Sequence, residues 1–575
     1  MLSRFLLPAT SFVALTLLPL ANAAPMLRLV SATVGPVSIA VGANGPAQTV
    51  EAYNAGDGTL SLTVTSSASW AVPTVGASRA CTSTSVVSTC VPIGVAFNTS
   101  ALTTGTQTAI LTVNGASGTV DAPQTITVTV AMGGSVPSSI SVYVPPGGST
   151  DVAIPTNSDL RWSATTTDSN SWLSVIISGN GSFKFVYPWY VHIAPTAANT
   201  VGAYTGKVTL SGSSFAADNV SIPVTMNVTT QPIAQGPSAV SLRLAQGAPP
   251  MAAPYTAVSV TLANLGLGTL SVTGLTAAGG TCGSTWLTAT QTSTGASLTV
   301  DPTGLAVGTC TGTLTFTTNA VNTLAPIPVT LQVVAKGNPL INYQGVVDNA
   351  TFTPGGTVSP GDIVLVKGEQ LSFAGAALGG YTPGSAPPLQ TVVGGASVLV
   401  NGAVAPMFYS FYGQLAFQMP LNTATGTATV QVKRDDGATS NLASVKVASR
   451  APGILVISKA DYSVVSASNP AHAGDVLLIW SIGMGTTSPA VTEGQPAPSS
   501  PLAMLVDTPA ISFGTGIATI VPATTAPIYS LLAPTYAGLY QIAVTVPSSC
   551  PKGTVYVIVG FPDGTFSNTV QIVVQ

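Results

Sequence analysis

Apolar and polar residues alternate along almost the whole chain after its first 23 residues. In Leu60–Val64 and Ile126–Val130, leucine, isoleucine or valine takes every second position, and serine or threonine takes the others. A period of two with β-branched residues predicts strands that bury one face. Turn sequences such as Asp57–Gly58 and Asn114–Gly115 separate the strands. No helical period follows the N-terminal segment, so the sequence predicts an all-β chain.

The N-terminal segment has the pattern of a secretory signal peptide. Arg4 gives it a positive charge, residues 5–20 are mostly apolar, and residues 21–23 read Ala-Asn-Ala, a small-x-small cleavage site. The alternative is a membrane anchor, but Pro8 interrupts the apolar run, which is shorter than the ~20 residues that span a bilayer. Cleavage predicts a secreted or cell-surface protein with no membrane span in the mature chain.

Three consecutive units then share one template. Each has a tryptophan (Trp70, Trp172 or Trp286), a glycine-rich turn leading into a strand, and a closing strand marked by proline. The turn and strand are clearest in Gly202–Leu210 and Gly308–Phe316. This template resembles the BACON-type immunoglobulin-like domains of exported bacterial proteins. The resemblance implies three β-sandwiches, and carbohydrate or mucin binding has been suggested for the family without defined functional residues.

The C-terminal part is a tandem duplication. Gln414 matches Gln541 at an offset of 127 residues, and Asp362 matches Asp475 at an offset of 113, each within a longer matching segment. With segments such as Gly345–Ala350, it resembles the uncharacterised C-terminal domain family of Solibacter-type exported proteins. Each half also resembles the IPT/TIG type of immunoglobulin-like domain. The resemblance implies export and a pair of sandwiches, but no activity.

These repeats predict about five tandem immunoglobulin-like β-sandwiches after a cleaved signal peptide. We expect short linkers and a rod-like succession of domains. The predicted boundaries are 1–23 for the signal peptide, 24–131, 132–231 and 232–337 for the three BACON-like domains, and 338–450 and 451–575 for the two IPT/TIG-like halves.

Five cysteines suit an oxidising compartment. Cys81 lies close to Cys90, and Cys282 and Cys310 lie within one repeat, so two local disulfides are the simplest pairing. A metal site would need clusters of ligands that the sequence lacks, and we predict neither a metal nor another cofactor. Cys550 is left over as a free thiol in a predicted turn.

Charge is scarce throughout the chain. Only 6% of the 575 residues are charged, with 15 lysines and arginines against 18 aspartates and glutamates. So few cations exclude the basic surface that nucleic-acid binding needs. Outward strand positions carry mainly Thr, Ser, Gln and Asn, which predicts surface contacts that respond little to salt. Edge strands with few protective charges also predict self-association.

The first candidate ligand site is the aromatic stretch 183–192. Alternation places Trp189 on one face of a strand with the other odd-numbered residues, and Tyr190 and His192 on the opposite face. The first face suits a sandwich core. The second is either part of the packing or an exposed platform on which Tyr190 stacks against a sugar ring. Trp189, Tyr190 and His192 are the candidate contacts.

A second aromatic run, Phe408–Tyr412, leaves the same two alternatives open, with Tyr409 and Tyr412 as candidate contacts. The equivalent Asp362 and Asp475 could be read as paired carboxylates. An aspartate that follows glycine at the start of a strand is better explained by hydrogen bonds to the turn backbone. No catalytic motif accompanies them.

The sequence therefore predicts a secreted, non-catalytic binding or adhesion protein, and not an enzyme. Its expected partners are a neutral polysaccharide or a surface protein. One alternative is a structural spacer or matrix component without a specific ligand. The other is a polysaccharide hydrolase with a site on the sandwich loops, which would need two carboxylates held about 5–9.5 Å apart.

Overall fold

The computed structural model describes residues 24–39, 42–82, 89–103, 105–132, 137–154, 163–177, 189–211, 219–253, 255–375, 377–378, 388–516, 521–522 and 526–575. The predicted signal peptide (1–23) and residues 183–188 of the first aromatic stretch lie outside this set. In the described part of the chain, every regular element is a β-strand. None of the described residues belongs to a helix long and apolar enough to cross a membrane.

The strands form five β-sandwiches in chain order, which confirms the predicted tandem immunoglobulin-like fold. The strands of the first sandwich are β1 Leu27–Leu29, β2 Thr33–Ile39, β3 Gln48–Asn54, β4 Leu62–Ser66, β5 Ala71–Val75, β6 Arg79–Ala80, β7 Thr89–Phe97, β8 Gly105–Gly115 and β9 Gln124–Met132. Those of the second are β10 Ile140–Val144, β11 Thr150–Ile154, β12 Ser163–Thr167, β13 Leu173–Ile177, β14 Trp189–Ile193, β15 Gly202–Ser211 and β16 Ser221–Val228. Those of the third are β17 Ala234–Gln235, β18 Val240–Ala245, β19 Val258–Thr261, β20 Ala263–Asn264, β21 Val272–Gly279, β22 Leu287–Thr292, β23 Gly295–Val300, β24 Gly308–Thr318 and β25 Ile327–Val334.

The first three sandwiches repeat one topology. One sheet has the order β2-β9-β8-β4, β10-β16-β15-β12 or β18-β25-β24-β21. In each of these sheets the two strands named first are parallel: β2 with β9, β10 with β16, and β18 with β25. The template tryptophan is buried between the layers. In the second and third sandwiches, a Cβ on Gly206 or Gly312 would come within about 3 Å of the Trp172 or Trp286 ring. The glycine of the turn motif is therefore required because the indole packs against its backbone.

The fourth and fifth sandwiches are the two halves of the C-terminal duplication. The strands of the fourth are β26 Leu340–Asp348, β27 Thr357–Val358, β28 Ile363–Glu369, β29 Ala377–Leu378, β30 Ala396–Val400, β31 Ala403–Val404, β32 Met407–Ser410, β33 Gln414–Gln418, β34 Gly426–Arg434 and β35 Ala443–Val447. Those of the fifth are β36 Gly453–Lys459, β37 Val476–Ile482, β38 Thr487–Ser488, β39 Met504–Leu505, β40 Ala510–Gly514, β41 Val521–Pro522, β42 Tyr529–Leu532, β43 Tyr540–Thr545, β44 Gly553–Gly560 and β45 Val570–Val574. The sheets β26-β28-β33-β32-β29 and β36-β37-β43-β42-β39-β38 are equivalent.

The sandwiches do not simply follow one another as a rod, so that expectation is wrong. Arg28 of the first sandwich pairs with Asp121 (2.7 Å) and with Glu369 of the fourth. Arg243 of the third pairs with the same two carboxylates, at 3.2 Å from Glu369. The four side chains are only 12–19% exposed. We call them the charge quartet; it fastens the first sandwich to the third and fourth.

Two further arginines lie at domain joints. Arg434 donates to the carbonyl of Gly337, in the linker between the third and fourth sandwiches, at 2.9 Å. Arg450, in the linker between the fourth and fifth, pairs with Asp507 and Asp563 and lies 4.2 Å from the centroid of the Phe561 ring. Much of the scarce charge is thus placed where domains meet.

Candidate functional site

The predicted site residues Tyr190 and His192 lie on β14, the middle strand of the sheet β11-β14-β13. Val191 between them is fully buried, so Tyr190 and His192 point away from the core, as the alternation predicts. The imidazole Nδ1 of His192 lies 2.6 Å from Oδ1 of Asp151 on β11. The side chain of Trp189 lies outside the described part of the structure. A role of these residues in ligand binding stays a prediction.

The fold places the second predicted pair, Tyr409 and Tyr412, in different environments. Tyr412 is 8% exposed, packs edge-on to Phe373 with ring centroids 5.7 Å apart, and accepts a hydrogen bond from the Ala245 backbone at 2.7 Å. Of the two alternatives, Tyr412 therefore takes core packing, and it joins the fourth sandwich to the third. Tyr409 is half-buried on the outer side of its sheet, where Gln414 Nε2 donates to its hydroxyl at 2.5 Å.

The equivalent side chains of Asp362 and Asp475 stabilise turns by accepting backbone hydrogen bonds, as their position at the start of a strand predicts. Asp362 accepts hydrogen bonds from the backbone N–H groups of Ile363 (2.9 Å) and Ser359 (3.3 Å), and Asp475 accepts one from His472 (2.9 Å). Asp362 is fully buried because the fifth sandwich packs over it. Burial, together with nearby Asp348, raises the pKa of Asp362 well above its usual value.

This burial predicts a pH-dependent contribution to stability that Asp362→Asn removes. A carboxyl whose pKa is higher in the folded state stabilises that state most when protonated. The stability of the wild type relative to the variant should therefore be greatest below the usual pKa of an aspartate, about 4, and fall as the pH rises above it. Amide exchange of the fourth sandwich would measure it, with Asp475→Asn at the equivalent, partly exposed turn as control. A difference that grows with pH would contradict the assignment.

The fifth sandwich carries a cluster of aromatic rings on the outer side of the sheet β36-β37-β43-β42-β39-β38. Trp480 lies 6.1 Å from Tyr462 and 6.4 Å from Tyr536, measured between ring centroids. Tyr529 lies two strands from Trp480 on the same side of the sheet. The Tyr462 residue is 68% exposed to solvent. We call these four rings, together with Gln541, the aromatic face.

Strand register and hydrogen bonds fix the aromatic face. Trp480 on β37 lies opposite Gln541 on β43, and Gln541 lies opposite Leu531 on β42. The indole Nε1 of Trp480 donates to Ser458 Oγ at 3.0 Å, and the Tyr529 hydroxyl donates to Gln541 Oε1 at 3.0 Å. In the part of the chain that the structure describes, no protein group accepts from Gln541 Nε2, so this amide can donate to a ligand.

A groove of about 310 Å³ continues the aromatic face towards β39. Its lining contains no charged side chain: Leu502, Met504, Tyr529, Leu531, Pro534 and Gln541. The groove therefore offers apolar surface and one amide to a neutral ligand, and it brings no carboxylate that could act as an acid or base.

A second cavity, of about 320 Å³, lies between the fourth and fifth sandwiches. Its main polar side chains are already used within the protein. Gln418 bonds to the Gly361 carbonyl (3.4 Å) and accepts from the Gly494 backbone (2.7 Å), and the Tyr540 hydroxyl donates to the Gly485 carbonyl (2.5 Å). We therefore place the candidate site at the aromatic face, where the amide nitrogen of Gln541 has no acceptor among the described residues.

The sequence reasoning missed Trp480, Tyr462, Tyr529 and Tyr536, although one signal pointed to them. The duplicated Gln541 marks the same position as Gln414, and both copies bond to a tyrosine hydroxyl. Tyr529 comes 12 residues before Gln541, and the register between β42 and β43 is what shows that the two side chains are neighbours.

The cysteines behave as predicted. Cys81–Cys90 and Cys282–Cys310 form disulfides, which fits an extracellular protein. Cys550 is free and half-buried, and burial raises the pKa of its thiol, which disfavours a nucleophilic thiolate. Among the described residues, no group of three or more His, Cys, Asp or Glu side chains is arranged to hold a metal ion.

Comparison with known proteins identifies no family. No family model and no curated protein matches the chain. Among solved structures, the Bacteroides ovatus mixed-linkage glucan utilization locus protein SGBP-B, in complex with a mixed-linkage heptasaccharide, is 15% identical, with a TM-score of 0.21 over 59% of this chain and 67% of that one. The human desmocollin-1 ectodomain is 11% identical, with a TM-score of 0.16 over 74% and 79%. A Drosophila N-cadherin fragment is 9% identical, with a TM-score of 0.18 over 53% and 100%. These likenesses concern the β-sandwich fold and carry no function.

Proposed function

We propose that the protein is a secreted, non-catalytic binding protein and that the aromatic face of the fifth sandwich binds neutral polysaccharide. The observation that carries the proposal is the group of four rings around the Gln541 side chain, whose Nε2 has no acceptor in the part of the chain that the structure describes, beside a groove lined without charged side chains. The sequence also predicted a polysaccharide ligand, but it placed the binding site on other residues.

Aromatic rings and amides together suit a sugar. The apolar faces of Trp480 and Tyr462 can stack on the C–H face of a pyranose ring, and tyrosine hydroxyls and the Gln541 amide can exchange hydrogen bonds with its hydroxyl groups. Tyr529 stays protonated well into the alkaline range, since burial raises the pKa of its hydroxyl and the nearby Tyr462 raises it further. The Tyr529 hydroxyl therefore stays a neutral hydrogen-bonding group at ordinary pH.

Pre-organisation strengthens the proposal. Hydrogen bonds to Ser458 and Gln541 hold the Trp480 and Tyr529 rings before any ligand arrives. Side chains that are already ordered lose less conformational entropy on binding. A role in catalysis finds no support here, because the groove lining lacks the two carboxylates that glycoside hydrolysis needs.

We expect Trp480→Ala to weaken polysaccharide binding by about 10- to 100-fold, as the loss of a stacked aromatic anchor does. The whole mature chain would be tested by isothermal titration against glucomannan, arabinoxylan, mixed-linkage β-glucan and laminarin. Tyr462→Ala is the second variant, because its ring is 68% exposed and its removal leaves the core intact. Wild-type affinity should change little between about 0.05 and 0.5 M salt, since no charge takes part.

Tyr143→Ala is the matched control, since it removes an exposed tyrosine of the second sandwich (36% exposed). Tyr190→Ala tests the site predicted from sequence in the same assay. If none of the polysaccharides binds, or if Trp480→Ala and Tyr462→Ala bind as the wild type does, the proposal is wrong. Binding that only Tyr190→Ala abolishes would move the site to the second sandwich.

A further inference from the structure

The fourth sandwich carries aromatic rings at the place that corresponds to the aromatic face. Tyr409 and Phe411 are stacked with ring centroids 4.7 Å apart, and Phe411 is stacked on Tyr255 at 5.8 Å. Tyr255 comes from the third sandwich and is 54% exposed. We call these three residues the ring stack. Its outermost ring has no counterpart in the fifth sandwich, because a different domain contributes it.

Strand register shows that the ring stack and the aromatic face are equivalent. Tyr409 lies opposite Ala416, and Tyr529 lies opposite Ala543, which is the same position of the duplication, 127 residues later. The paired glutamines Gln414 and Gln541 follow the same offset. Both halves of the duplication therefore keep a tyrosine hydroxyl bonded to a glutamine amide on the outer side of the sheet.

One position differs between the two copies. Lys367 lies opposite Gln414, where Trp480 lies opposite Gln541. The Nζ of Lys367 lies 5.0 Å from the centroid of the Phe352 ring, so this lysine covers an aromatic ring where the fifth sandwich has its indole. The fourth sandwich lacks the tryptophan of the aromatic face, and Tyr255 of the third sandwich adds an exposed ring beside Tyr409 and Phe411.

Apolar contacts join the ring stack to the aromatic face. Tyr409 packs against a buried cluster that includes Leu365 and Ala416 of the fourth sandwich and Ala537 of the fifth. Ala537 directly follows Tyr536, whose ring contacts Trp480. A buried apolar cluster thus connects the sheet that carries Tyr409 to the segment that carries Tyr536, and the rings of the ring stack and the aromatic face together come from three sandwiches.

We infer that the ring stack and the aromatic face form one track along which a single extended polysaccharide chain binds. The inference rests on the proposed function and names its ligand more closely: a linear, neutral polymer, not a short oligosaccharide. A polymer repeats the same sugar, and two copies of one tyrosine–glutamine pair are suited to bind the same sugar unit at two places along the polymer. A polymer that occupies the ring stack and the aromatic face at the same time binds more tightly than at either site alone, because the second contact forms at a high effective concentration; the gain is commonly 10²–10⁴-fold.

Tyr255→Ala tests the track. This side chain is 54% exposed and stacks on Phe411, so its loss should leave the fold intact. Glucomannan, arabinoxylan, mixed-linkage β-glucan and laminarin would each be titrated as polymer and as trisaccharide. We expect Tyr255→Ala to weaken binding of the polymer at least 10-fold while the affinity of the aromatic face for the trisaccharide stays within about 2-fold, whereas Trp480→Ala weakens both.

The outcomes separate the two proposals. If Trp480→Ala changes neither affinity, the proposed function fails and the track fails with it. If Trp480→Ala weakens both but Tyr255→Ala and the control Tyr143→Ala leave polymer binding equal, only the track is wrong. Sedimentation tests the rival occupant of the ring stack, which is a second copy of the chain. A dimer of the free protein that Tyr255→Ala dissociates would assign the ring stack to that second copy and overturn the track.

Discussion

Replacing Arg243 with alanine is expected to release the first sandwich from the rest of the protein. Arg243 pairs with both Asp121 and Glu369, and its loss leaves Arg28 alone to neutralise two carboxylates that are 12% and 19% exposed. Removing one partner of a buried ion pair costs about 3–5 kcal/mol, because the remaining charge stays desolvated. Since the quartet is not fully buried, we expect about 3 kcal/mol, at the lower end of that range.

Amide exchange would measure this loss as a lower free energy of opening for the segments around Met26 and Leu340, which pack together beside the quartet. Small-angle scattering should show a larger radius of gyration when the first sandwich separates. Lys552→Ala is the control, because it removes an exposed cation far from the joint. An unchanged radius and unchanged exchange in Arg243→Ala would show that the quartet does not hold the domains together.

The double substitution Cys282→Ala with Cys310→Ala is expected to destabilise the third sandwich by about 3–4 kcal/mol. The bridge closes a loop of 28 residues, and the chain-entropy estimate for such a loop is about 3.6 kcal/mol. The same estimate gives about 2.6 kcal/mol for the 9-residue separation of Cys81 and Cys90. Removal of the longer bridge should therefore have the larger effect.

Because five sandwiches need not unfold together, amide exchange of β22 to β24 is the appropriate measurement. The second sandwich serves as internal control, since Tyr204 takes the place of Cys310 there and bonds to the Thr200 carbonyl at 3.0 Å. Its exchange should not change. If the third sandwich loses less protection than the first sandwich does on removal of Cys81–Cys90, the loop-entropy explanation is wrong.

The features that the sequence predicted best depend on neighbours along the chain. Alternation revealed the strands because side chains of a strand point to opposite faces in turn. The disulfides followed from cysteines that lie close together or within one repeat. The same local logic placed Tyr190 and His192 on the outward face of β14, next to buried Val191.

The sequence left Tyr409 and Tyr412 undecided because packing partners from other domains determine their exposure. Tyr412 is buried by the third sandwich through Ala245, and Tyr409 is stacked towards Tyr255 of that same sandwich. The aromatic face was missed for a related reason. Its rings come from residues 462 to 536, and only the pairing of β37, β43 and β42 brings them to one side of a sheet.

By itself, the sequence determined the all-β class, the repeats, the disulfides and the scarcity of charge. Only the tertiary structure decided how that charge is used: Arg28, Arg243 and Arg450 lie at domain joints, paired with carboxylates far away in the chain, and Arg434 donates to the carbonyl of Gly337 at another joint. The tertiary structure also decided which aromatic rings meet. The reason is that strand patterns and local disulfides arise from short-range geometry, whereas ion pairs and ring clusters need strand register and domain packing that no short segment encodes.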